Sequence, residues 1–145
     1  MQVVRAVVDA SVAVKWIFPD AENEADARAA VALLRAIQSG SVQVVQPAHW
    51  LAEVAAVISR LAPQAVYEKV GLLYAMEFPI LETLDVYEQA CKLAVQFKHH
   101  LFDTLYHAVA LCASDTTLVT ADERYYRKAR PAGSITRLED FRIPA

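Results

Sequence analysis

LFDTLYHAVALCASDTTLVTADERYYRKA, residues 101–129, decides the fold. Leu105, Ala108, Val109 and Cys112 recur at helical spacing, so a helix opening at Asp103 carries one apolar face. Thr116–Thr120 is a short β-branched strand, and Asp122 to Arg130 is the helix that follows it. Working outward, the same alternation repeats. Val3 to Val8 suits a buried parallel strand ending at Asp9. Ser11 to Phe18 is a short apolar helix, with Pro19-Asp20 as its breaker. Ala21 to Ser39 is a helix with Glu22, Glu24 and Asp26 at its start, where the helix dipole favours acids, and Gly40 at its end. Val42 to Gln46 reads as a strand, residues 48–61 as a helix opened by Pro47 and broken by Pro63, and Gln64 to Met76 as another helix. Phe78 to Leu84 looks like a strand, with Pro79 suited to its first residues or to an edge. Asp85 is placed to cap a helix whose Val86, Ala90, Leu93, Ala94 and Phe97 share a face. His99-His100 falls in the break after it, and Ser134 to Leu138 is a last strand. Strands alternating with helices predict an α/β fold, a parallel sheet covered on both faces.

The 145 residues fit one domain, 1–145, with enough chain to bury a core without disulfides. The 56% apolar content excludes a disordered chain. No apolar run approaches the roughly 20 residues that span a bilayer, so no membrane association is expected. MQVVRAVVDA has no basic leader region or small-residue cleavage site, and it reads as a strand rather than a signal peptide. Cys91 and Cys112 lie on apolar helix stripes without metal-ligand spacing, and the expectation is free, buried thiols in a reducing cytoplasm. The formal net charge of −3 gives no support for a polyanionic partner. Nucleic acid would need local basic patches, or cations that reverse the field at the site.

The chemistry lies in the placement of the acids. Ligands of open α/β sheets bind beyond the carboxyl ends of the strands. Asp9 follows the first strand directly, Asp122 comes two residues after Thr120, and Asp103 begins the helix before that strand. Glu53 lies inside HWLAEVAAVISR, where Trp50, Val54, Val57 and Leu61 would pack inward, so its charge needs compensation. Carboxylates converging at one sheet end repel one another, and a divalent cation relieves that. Oxygen ligands suit Mg2+ or Mn2+, which can bridge phosphate oxygens and generate hydroxide for in-line attack. Taken singly, each acid has a plainer account. Asp9 could cap the Ser11 helix, Asp103 and Asp122 occupy N-cap positions, and a helical Glu is ordinarily exposed.

Taken in order, VVDASVAVKW, HWLAEVAAVI, LFDTLYHAVAL and LVTADERYYRKA resemble the successive motifs of the PIN-domain family. The likeness extends from Val4 to about Phe141 and is nearest to the VapC-type toxins of bacterial and archaeal toxin–antitoxin pairs. It implies a parallel sheet sandwiched by helices. It also implies that Asp9, Glu53, Asp103 and Asp122 hold Mg2+ or Mn2+ and cut an RNA phosphodiester, leaving a 5′-phosphate. Ser11 and Thr120 would then orient the carboxylates. Ala56 stands where many such toxins carry Asn, which removes one polar support near Glu53. The resemblance further implies a cytoplasmic homodimer, a small antitoxin that blocks the site, and an RNA substrate such as tRNA or rRNA.

Lys15, Arg124, Arg127 and Lys128 are candidates for RNA contacts, with Arg130 beside them, although cations near a helix C-terminus also have a purely electrostatic account. Tyr125 and Tyr126 could stack on bases or simply pack. His49–Glu53 and Asp103–His107 have helix-neighbour spacing that would let a histidine shuttle protons, whereas His99 and His100 look like loop residues. Val66, Leu72, Leu73 and Met76 could line a groove for a second copy or an antitoxin, or be core. Two rival readings are a non-catalytic RNA-binding PIN domain and a phosphoryl-transfer α/β protein with Asp9 as nucleophile. The intact four-acid set argues against the first. The second wants a further Asp at position 11, which is Ser, or acids paired near the N-terminus and a Lys after a late strand.

Overall fold

The computed structural model describes residues 3–19 and 23–144. Its four strands are β1 (Val4–Val8), β2 (Val42–Val44), β3 (Thr116–Thr120) and β4 (Ile135–Arg137), all parallel, in the order β2-β1-β3-β4. Ala6, Val7 and Val8 in β1 and Leu118 and Val119 in β3 are fully or almost fully buried, as central strands covered on both faces require. The helices are α1 (Ala10–Ile17), α2 (Glu24–Gln38), α3 (Trp50–Leu61), α4 (Val66–Tyr74), α5 (Leu84–Phe97), α6 (Leu101–Cys112) and α7 (Glu123–Ala129). Helix α6 packs on β1 and β3, α2 on β2, and α1 on β3 and its two neighbours α2 and α3. The α/β sandwich expected from the alternation is therefore present.

Local chemistry fixes the ends that matter. Asp9 caps α1 by accepting from the Ser11 amide, and Asp122 caps α7 by accepting from the Tyr125 amide. Gly40 ends the α2 turn at φ +85°, a backbone angle that glycine adopts without strain.

Several expectations need correction. Phe78–Leu84 is not a strand: Ile80 makes a single parallel bridge to Gln46, flanked by bonds between Gln46 and the backbones of Pro79 and Leu81. Pro79 has no N–H to extend that pairing. Thr83, not Asp85, caps α5, since its Oγ1 accepts from the Val86 amide at 3.3 Å. Helix α6 starts two residues before Asp103, with His100 at the cap position, so Asp103 lies in the first turn with its side chain free of capping duty. The expected helix of 64–76 begins as a 3-10 turn, Pro63–Ala65, before α4. On α3 the buried face is Trp50, Val54 and Ile58; Leu61 at its end is exposed. Both cysteines are exposed, not buried. On α4, Leu73 enters the core while Leu72 points outward. Asp20, Ala21 and Glu22, part of the expected breaker and helix start, lie outside the described residues.

Candidate metal centre

Residue Val8 ends β1 between two different neighbours. On one side it pairs with Val119 of β3. On the other, β2 has already ended, and the buried Gln46 amide takes its place. Gln46 Oε1 accepts from the Val8 N–H at 2.8 Å and its Nε2 donates to the Val8 carbonyl at 2.9 Å. A side chain thus completes the backbone pairing immediately before Asp9. Gln46→Leu would leave both Val8 groups buried and unpaired, and is expected to cost about 2–3 kcal/mol in urea unfolding.

Asp9 Oδ2 collects three donors: the Ser11 amide at 3.2 Å, the Ser11 hydroxyl, and the Thr120 hydroxyl at 3.3 Å. The two hydroxyls are themselves oriented, because Ser11 Oγ accepts from the Ala121 amide and Thr120 Oγ1 from the Asp122 amide, both at 3.0 Å. The expected supporting residues Ser11 and Thr120 therefore stand against Asp9 and fix the turn that carries Asp122.

The four acids gather around this turn. Burial pushes Asp9 up to about 6, the Ser11 bonds oppose that rise, and repulsion from Asp103 and Asp122 adds to it. Burial likewise pushes Glu53 up to about 7, against the Tyr106 hydrogen bond and with repulsion from Asp9 and Asp103. Asp9 thus feels both Asp103 and Asp122, and Glu53 feels both Asp9 and Asp103. Glu53 Oε1 accepts from the Tyr106 hydroxyl at 3.0 Å. That phenol is buried beside Glu53, Asp9 and Asp103 and is held far above its usual proton affinity. Asp122 spends Oδ1 on the Tyr125 amide at 3.1 Å, so capping and site membership coincide in one residue.

One functional neighbour escaped the sequence reading. His99 Nε2 lies 2.8 Å from Asp103 Oδ2, and donor atoms of His99, Asp103 and Asp122 all fall within 4.8 Å of one another. The clue was the four-residue spacing from His99 to Asp103, the same spacing noted for the other two histidines. Those two behave otherwise. His49 Nε2 donates to the Phe102 carbonyl at 2.7 Å and stands 3.8 Å from Glu53 Oε2. His107 turns away from Asp103, bonding the Tyr125 hydroxyl and the Gly133 carbonyl.

The basic candidates divide. Lys15 stands 4.0 Å from Asp26, and Arg127 bonds Glu123 at 3.1 Å. Lys128 is half-buried and reaches His99, and Arg124 is exposed. Tyr125 is buried, which removes it from base stacking, while Tyr126 packs under the Arg130 and Arg137 guanidinium groups.

Carboxylates whose proton affinities are raised by burial and by one another fit a divalent cation, which replaces that repulsion with attraction. Fold and site together define the class: an α/β domain with an acidic cluster at the carboxyl end of a parallel sheet. The sequence model of the PIN domain matches residues 6–131, and the chain belongs to the PIN-domain family. PIN domains are generally nucleases. A solved structure described as a toxin–antitoxin complex from Klebsiella pneumoniae aligns with a TM-score of 0.66 at 15% identity, over 92% of this chain and 97% of its own. At that identity the likeness speaks for the fold. No curated protein sequence matches the chain significantly. Among the described residues, no helix is long and apolar enough to cross a membrane.

Proposed function

We propose that this chain is a Mg2+- or Mn2+-dependent endoribonuclease that acts as the toxin of a VapC-type toxin–antitoxin pair in the cytoplasm. The observation that carries the reading is the placement of the acids at the carboxyl end of the sheet: Asp9 held by Ser11 and Thr120, Thr120 also fixing the turn of Asp122, and donor atoms of Asp103 and Asp122 within 4.8 Å of one another. Asp9, Asp103 and Asp122, with Glu53 beside them, would hold the ion. When bound, such an ion supplies a water of lowered pKa and neutralises phosphate charge.

The chain's own residues set the rest. Ser11 and Thr120 hold Asp9 in one orientation. Glu53 has Oε1 tied to the Tyr106 hydroxyl, which holds its carboxylate in one orientation beside the other acids. Arg124, exposed two residues after Asp122, supports contact with an RNA phosphate, and Lys15 and Arg127 stand as weaker candidates because acids neighbour both. The toxin role is supported by the toxin–antitoxin neighbour's shared fold. A homodimer and a small antitoxin covering the site belong to the same reading.

The test is RNA cleavage by the purified chain in chelated buffer, then with Mg2+ or Mn2+ restored. Cleavage should vanish on chelation, return with either ion, and leave 5′-phosphate ends. Cleavage that persists through chelation, or leaves 2′,3′-cyclic phosphate ends, would sink the reading.

A further inference from the structure

We infer that Lys128 and His99 form a positioning relay behind Asp103, in which Lys128 fixes the His99 ring as an Nε2–H donor and the ring anchors Asp103 Oδ2. The inference rests on the metal-centre reading for its purpose, because an anchored Oδ2 fixes the orientation in which the Asp103 carboxylate meets a cation. His99 is then a positioning residue and not itself a ligand.

The tautomer follows from donor arithmetic. Lys128 Nζ stands 3.3 Å from His99 Nδ1, and an ammonium group can only donate. Nδ1 is therefore the acceptor, and the ring proton sits on Nε2, 2.8 Å from Asp103 Oδ2. A ligand would need its lone pair on Nε2, which would move the proton to Nδ1 and set it against the Lys128 ammonium. Nearness of His99 to Asp122 is thus a consequence of anchoring Asp103 rather than of joining the ligand set.

The ring is also held from behind. The His99 side chain is only 9% exposed and packs on Tyr125, with ring centroids 4.8 Å apart. The Tyr125 hydroxyl is fixed in turn. The Gly133 carbonyl can only accept, so His107 carries its proton on Nε2, 2.7 Å away, and its Nδ1 accepts from Tyr125 at 2.8 Å. Upstream, Lys98 closes α5 in the left-handed conformation at φ 51°, and this turn delivers His99 to an acid four residues ahead. A carboxylate whose outer oxygen is held by a directed N–H keeps its other oxygen in one place, which is the usual value of a group behind a metal ligand.

The test reads the ring directly. Long-range 1H–15N correlation spectra of the 15N-labelled wild-type chain should show His99 as the Nε2–H tautomer, both without metal and with Mg2+. Mn2+ binding, followed by electron paramagnetic resonance, should weaken about tenfold in His99→Phe, which keeps the ring's packing and loses the donor. His99→Gln, which restores an N–H near the Nε2 position, should bind within about twofold of wild type. Lys128→Met should move the His99 Nδ1 resonance, which loses its donor, while the Asp103 carboxylate keeps the proton on Nε2; an unmoved Nδ1 resonance would take Lys128 out of the relay. An Nδ1–H ring in the metal-free chain, loss of the Nε2 proton when Mg2+ binds, or a folded His99→Phe with wild-type Mn2+ affinity would each overturn the relay. A wild-type chain that binds no Mn2+ would instead remove the metal-centre reading, and the ring tautomer of the ion-free protein would still confirm or overturn the wiring. Thermal unfolding of each variant separates a folding failure from lost positioning, and the wild-type spectra stand whatever the variants do.

Discussion

Asp9→Asn is expected to lower RNA cleavage at least about a thousandfold, because several kcal/mol of charge stabilisation depends on that carboxylate. The same variant should stay folded. Asn is as good an N-cap as Asp, and its carbonyl can occupy the Oδ2 position where the Ser11 amide and the Ser11 and Thr120 hydroxyls converge. The neutral amide also ends the repulsion from Asp103 and Asp122, so its melting temperature should match or exceed that of wild type. Cleavage assays with matched circular dichroism melts check both halves together. Full activity in a folded Asp9→Asn would remove Asp9 from the chemistry. Lost activity with a collapsed melt would show that its role at the head of α1 is chiefly architectural.

The second large effect concerns stability. His107 is fully buried and bridges the Tyr125 hydroxyl and the Gly133 carbonyl, tying α6 to α7 and to the turn before β4. His107→Ala strands a buried donor and a buried acceptor and opens a cavity beneath Tyr125, a loss expected to reach about 3–5 kcal/mol in urea unfolding. A pH signature should accompany it. Burial lowers the His107 proton affinity, with the Gly133 bond opposing part of that fall. The unfolded chain therefore takes up a proton at His107 below about pH 6.5 that the folded chain refuses. Its contribution is complete above that pH and is lost as the pH falls, by at most about 1.4 kcal/mol per unit. Asp9 and Glu53 act in the opposite sense, since their raised folded values favour the folded chain as pH drops through about 7 to 4. The difference between wild type and His107→Gln, which lacks the titrating ring, isolates the histidine share. That difference should narrow between pH 7 and pH 5; a constant gap would mean that folding leaves the His107 proton affinity unchanged, and a widening gap that the fold holds the ring protonated.

What the sequence made legible follows from where the physics is local. Asp9 and Asp122 were readable because a strand followed by an acid is a short-range pattern, and in an α/β fold strand ends share one edge of the sheet. Helix boundaries were less readable: Asp103 looks like a cap, yet α6 begins at Leu101, and this shift frees its carboxylate for the cluster. The 78–84 segment has strand composition, but Pro79 reduces its pairing to one bridge at Ile80. His99 looks like a loop residue in the sequence because a break between helices carries no periodicity, although the left-handed Lys98 makes that break a tight turn. Gln46 left no signal at all. A buried amide that replaces a strand's backbone depends on a neighbour 38 positions away, and no local pattern encodes such a partner.

The four carboxylates share a habit of anchorage. Asp9 commits Oδ2 to Ser11 and Thr120, Glu53 commits Oε1 to Tyr106, Asp103 commits Oδ2 to His99, and Asp122 commits Oδ1 to the Tyr125 amide. Each carboxylate is therefore braced from behind before any ion arrives. The side-chain freedom that four loose acids would lose on gathering around a cation is already lost when the chain folds, so an entering ion would meet ligands that need little rearrangement.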